Sequence, residues 1–117
     1  MDRELAGSET VRRWMASVDA MYDLSEREWA DRLSVLGRWC LEVGEDPDRV
    51  IASARASRDA KNGYMRSLKR FARERYPEGR GAHDAENVVR SFFIHNGARV
   101  FVRPYEEATP GPAPSTP

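Results

Sequence analysis

The sequence predicts an all-α fold, a compact bundle of four main helices plus a short one. Three observations carry this. Apolar residues recur at helical spacing in five successive stretches, helix-starting and helix-ending residues fall between those stretches, and no period-two run is long enough for a convincing sheet. At 117 residues the chain is one domain, able to bury roughly two thirds of its unfolded surface. The expected organisation is a flexible N-terminal segment over 1–9, a helical domain over 10–103 and a Pro-rich flexible tail or linker over 104–117.

The first helix is expected from Val11 to Tyr22, with Val11, Trp14, Met15, Val18, Met21 and Tyr22 forming its apolar stripe. Ser25-Glu26-Arg27-Glu28 then has the capping-box pattern, in which the Ser25 hydroxyl and the Glu28 carboxylate each satisfy an orphan backbone N–H. The second helix starts there, buries Trp29, Leu33, Leu36, Trp39, Cys40 and Val43, and ends at Gly44, where a left-handed residue is wanted. Asp46-Pro47 supplies an N-cap and a first-turn proline for a short third helix built on Val50, Ile51 and Ala54.

Polar residues from Ser57 to Gly63 are expected to loosen the chain before the fourth helix, whose inner face is Tyr64, Leu68, Phe71 and Ala72 and which Pro77 and Gly79 stop. The fifth helix is expected from Asp84 to Gly97, with Ala85, Val88, Val89, Phe92 and Phe93 inward and Asn96-Gly97 as its end. Ala98 to Arg103 alternates briefly as an extended segment, and the following EEATPGPAPSTP has nothing to bury.

Formal net charge is zero and the pI is about 6.7, so the overall balance points to no class of partner. Local charge does. Lys61 to Tyr76 carries Lys61, Arg66, Lys69, Arg70, Arg73 and Arg75 against Glu74 alone. At about 100° per residue, Arg66, Lys69, Arg70 and Arg73 share one stripe opposite Tyr64, Leu68 and Phe71, while Arg75 falls nearer the buried side. Such a row suits phosphate oxygens, because each neutralised phosphate releases a condensed counterion. An ordinary solvated face is the alternative reading.

On the fifth helix, Asn87, Arg90, Ser91 and Ile94 are expected to point outward, where Asn and Arg can bond base edges and Ile can touch a thymine methyl or a partner protein. His83 should precede that helix at the surface, and His95 should be a satisfied histidine at the core boundary. Trp14, Trp29 and Trp39 lie on apolar stripes and read as core.

The single Cys40 excludes an internal disulfide, and with His83 and His95 it makes no metal-ligand spacing. Neither a glycine-rich phosphate loop nor a GxSxG elbow occurs, and Tyr105 has no basic constellation around it in sequence. The chain therefore reads as non-catalytic, without cofactor or metal. No membrane-length apolar run and no signal-peptide pattern occur either, which sets the expectation of a cytoplasmic protein.

With these residues set out, Asp46 to Gly97 resembles the N-terminal core-binding, or SAM-like, domain of phage-integrase-type tyrosine recombinases. Three features carry the likeness: the Asp46-Pro47-Asp48-Arg49-Val50-Ile51 helix start after a Trp-bearing helix, the aromatic helix with Tyr64, Leu68 and Phe71, and the run from Asn87 to Gly97, NVVRSFFIHNG. The resemblance implies a bundle forming one half of a clamp around duplex DNA, in a protein of DNA integration and recombination. In that family a separate C-terminal domain supplies the tyrosine nucleophile with its arginine, lysine and histidine set. Here only a Pro-rich tail follows Val102, so the resemblance implies either a fragment of a recombinase or a stand-alone relative that keeps the clamp without the chemistry. Its partners would be duplex DNA and a catalytic recombinase domain or other protomers. By position, Asn87, Arg90, Ser91 and Ile94 would face DNA, as would the mixed-sign Arg27, Asp31, Arg38 and Glu42 of the second helix. Lys61, Arg66, Lys69, Arg70 and Arg73 are DNA-binding candidates on electrostatic grounds alone. A helical protein-interaction or self-association module, with Ile94 and Phe101 in its interface, is the competing expectation.

Overall fold

Five α-helices order the described part of the chain, which comprises residue 5 and residues 7–100 of a computed structural model. They are α1 (Glu9–Asp19), α2 (Glu26–Val43), α3 (Pro47–Ala56), α4 (Arg58–Arg75) and α5 (Arg80–Ile94), and no strand occurs among the described residues. Residues 98–100 are irregular. The rest of the expected extended segment, Phe101 and the Pro-rich tail lie outside the described residues.

Local chemistry accounts for most helix ends. Ser25 and Glu28 form the full capping box, Asp46 Oδ1 accepts from the Arg49 N–H at 2.9 Å, and Gly44 closes α2 with a φ of 82°. Gly97 ends α5 in the same left-handed conformation, φ 82°. The Ala98 N–H reaches the Phe93 carbonyl at 3.0 Å and the Gly97 N–H reaches that of Ile94 at 3.1 Å, the two bonds of a Schellman motif.

Four boundaries differ from the sequence expectation. The helical body begins before residue 10, since Leu5 is buried, Ser8 caps α1 and Glu9 opens it. α1 stops at Asp19, three residues early, leaving Met21 and Tyr22 exposed instead of on the buried stripe. α4 starts at Arg58 instead of after Gly63, because the Ser57 hydroxyl accepts from the Ala60 N–H at 3.1 Å and a lone Gly63 costs only about 1 kcal/mol in a helix. α5 starts at Arg80 instead of Asp84, behind Gly79, which has a φ of 81° and makes no side-chain cap, so His83 lies inside the helix.

The helix is cheap to improve at one of these glycines and costly to alter at another. Gly63→Ala is expected to raise stability by about 0.5–1 kcal/mol, since an added Cβ meets only the Arg66 guanidinium at 3.9 Å. Gly97→Ala should lower it by about 1 kcal/mol, because its backbone is left-handed whatever the space around it. Urea denaturation of the two variants should give midpoints on opposite sides of the wild type.

α5 is the central element and packs against α1, α2 and α4, while α3 bridges α1 and α4. Its inward pair Phe92 and Phe93 joins two aromatic groups. Trp14 meets Phe92 and Trp29 edge-on at 5.6 and 5.2 Å, and Trp39 meets Phe93 and Tyr64 at 5.8 Å each. Ala72 of α4 sits with Ala82 and Ala85 of α5, and Met65 contacts Arg90, so α4 and α5 run antiparallel as a hairpin.

A carboxylate pins the first helix to the third. Asp48 accepts from the Ser8 hydroxyl at 2.6 Å, the Thr10 N–H at 2.9 Å and the Thr10 hydroxyl. Partial burial alone would raise its pKa, but these hydrogen bonds outweigh that and hold the carboxyl below its usual range. A carboxylate depressed in the folded state stabilises above its unfolded pKa, and the contribution is lost as pH falls through the folded value. Asp48→Ala is therefore expected to cost about 1 kcal/mol at neutral pH, allowing for solvent screening. Thermal melts of variant and wild type should converge below the carboxylate range.

Candidate nucleic-acid interface

α4 turns its apolar residues Tyr64, Leu68, Phe71 and Ala72 into the bundle, which forces the residues between them outward. Arg66, Lys69, Arg70 and Arg73 are all exposed, and among the described residues none of them makes an ion pair. The four lie within an arc of about 100° and span about 10 Å of helix axis. Over that length one strand of B-DNA carries about three phosphates. A cationic row of this length, without ion pairs among the described residues, matches a phosphate backbone in sign.

The early start of α4 adds residues 58–63 to the helix. Arg58 is exposed and falls about 20° from Lys69 around the axis, extending the row toward the N-terminus. Asp59 also lies on the outer side and ends the single-sign stretch there. The signal for this earlier start was Ser57 itself, an N-cap residue three positions before Ala60. Lys61 belongs elsewhere: it is half-buried and sits about 140° around the axis from Arg66. Arg75, nearer the buried side by periodicity, is exposed and pairs with Glu42 of α2 at 3.0 Å.

Three of the four α5 candidates are placed differently from the outward face expected of them, and Ile94 takes it. Ser91 is turned to α1, where its hydroxyl accepts from the Trp14 indole N–H at 3.0 Å. Arg90 is folded into the α4–α5 seam, bonded to Glu86 at 3.0 Å with its Nη1 3.7 Å from the Met65 sulfur. Asn87 Nδ2 lies 3.0 Å from His83 Nε2. It lines an α2–α5 groove of about 410 Å³ with Glu28, Asp31, Asp84 and Arg32, a setting of net negative charge that repels phosphate. Ile94 is exposed, at 39%. His95 is partly buried and its Nδ1 lies 2.6 Å from the Ser17 hydroxyl. The structure thus collects the α4 cations on one face and disperses the α5 set over three neighbours.

A groove of about 720 Å³ between α2 and α3 is lined by Cys40, Leu41, Pro47 and Asp48. Burial, followed by the charges of Asp46 and Glu45, pushes the Cys40 thiol up to about 12, so it stays protonated and unreactive at neutral pH. Among the described residues no group of three or more His, Cys, Asp or Glu side chains is placed to hold a metal ion, and no helix is long and apolar enough to cross a membrane.

Comparison with known proteins places no relative beside this chain: no family model, no curated protein and no solved structure gives a significant match.

Proposed function

We propose that the chain is a non-catalytic, sequence-tolerant DNA-binding module that grips duplex DNA through the cationic face of α4. The observation that carries this reading is the run of four exposed Arg and Lys side chains with no neutralising partner among the described residues. Contacts to phosphate fix position without reading sequence. The tolerance follows from α5, where Asn87, Arg90 and Ser91 are engaged within the protein and leave Ile94 as the exposed member of the set.

In this reading the bundle is a SAM-like core-binding domain of the tyrosine-recombinase kind, one arm of a clamp, working in the cytoplasm beside a catalytic domain or other protomers. The resemblance over Asp46 to Gly97 supports that narrower assignment. Titrating the chain with labelled random-sequence duplex at low and moderate salt tests the function. Binding that weakens steeply as salt rises is the expected result, since phosphate neutralisation carries the affinity. Absence of binding even at low salt would sink the proposal.

A further inference from the structure

The outer face of α2 carries a charge order that is complementary to itself. At about 100° per residue, Arg27, Asp31, Arg38 and Glu42 fall within an arc of about 60°, and Ala30, Ser34 and Leu41 form a narrower row beside them. All of these residues are exposed except Ser34, which is half-buried, and Leu41 is 66% exposed although it is a large apolar side chain. Among the described residues Arg27, Asp31 and Arg38 make no ion pair, and Glu42 is paired with Arg75 of α4 at 3.0 Å through one carboxylate oxygen.

We propose that this face is the contact between two copies of the chain, packed as antiparallel α2 helices about a two-fold axis at Ser34 and Val35. An isologous contact sets residue i of one copy against j of the other and j against i. Centred between Ser34 and Val35, that rule brings Arg27 opposite Glu42 and Asp31 opposite Arg38, each pair occurring twice. No like charges meet. The small Ala30 and Ser34 allow the helices to approach, and Leu41 covers the space beside the partner's Ala30, losing its exposure. Moving the axis by one helical turn either way breaks the Asp31–Arg38 match, so the charge order also selects the register. The mixed signs that suit a phosphate backbone poorly are thus what a second copy requires. A contact of one helix face lies at the small end of protein interfaces, so the dimer is weak and concentration-dependent. The inference stands apart from DNA binding, which uses α4.

Sedimentation equilibrium of the full chain over the micromolar range tests it. The wild type should show a reversible monomer–dimer equilibrium, and Leu41→Asp should weaken it at least roughly tenfold. Asp31→Arg and Arg38→Asp should each weaken association by a similar factor, since each sets like charges together twice. Mixed in equal amounts, the two single variants should associate again as a heterodimer, and Asp31→Arg/Arg38→Asp in one chain should restore the homodimer. Circular dichroism should show unchanged helix content throughout. A wild type that stays monomeric, single variants that associate as the wild type does, or a mixture that remains monomeric would each overturn the proposal.

Discussion

Gln in place of both Arg70 and Arg73 is expected to lower the affinity for random duplex DNA roughly 60-fold at about 0.1 M salt. The size follows from counterion release. A phosphate contact contributes a slope of about −0.9 in log affinity against log salt, so each lost contact removes a factor of about 8 at that concentration. The slope itself should flatten by about two. Both arginines are exposed, and Gln has nearly the helix propensity of Arg, so the fold should be untouched. Arg12→Gln, which removes an exposed cation from α1 instead, should leave slope and affinity close to wild type. Fluorescence anisotropy at several salt concentrations reads both quantities, and equal slopes for the double variant and wild type would remove α4 from the contact.

Replacing Asn96 with Leu is expected to destabilise the fold by about 2–3 kcal/mol, the largest stability effect predicted for a side chain outside the aromatic core. Asn96 is buried, at 3% exposure, and its Nδ2 donates to the Thr10 carbonyl at 3.0 Å and to the Phe92 carbonyl at 2.9 Å. Its Oδ1 accepts from Arg13 Nη1 at 3.2 Å. The side chain thereby ties the end of α5 to the start of α1. Leu fills the space but takes the Nδ2 donor from both the Thr10 and the Phe92 carbonyls, and the loss of these two buried bonds dominates the cost. A fall in melting temperature of roughly 10 °C is the expected reading for a domain of this size. Arg13→Ala, which removes an exposed partner, should cost under about 1 kcal/mol.

Much of this architecture was legible in short stretches of sequence. A capping box, an Asp-Pro start and a left-handed glycine act over three to five residues, so Ser25, Glu28, Asp46, Gly44 and Gly97 could be read locally and take the expected roles. The inward stripes depend on spacing alone: Trp14, Leu36, Trp39, Leu68, Phe92 and Phe93 are fully buried as their periodicity required. The α4 cations followed for the same reason, since residues opposite an apolar stripe on one helix must face away from the core.

The outer face of α5 could not be read that way. Periodicity places Asn87, Arg90, Ser91 and Ile94 opposite the buried stripe, yet α5 lies between three other helices, and its flanks are claimed by residues distant in sequence. Trp14, 77 positions before Ser91, takes that hydroxyl, and Met65, 25 positions before Arg90, lies against the guanidinium. Asn96 likewise answers to Thr10 across 86 positions. Local patterns set the helices, most of their ends and the direction of each apolar side, because those depend on neighbours within a turn or two. Which polar residues stay unengaged is settled by how the helices pack, because a hydrogen bond or ion pair across a helix–helix seam depends on contacts that no local pattern encodes.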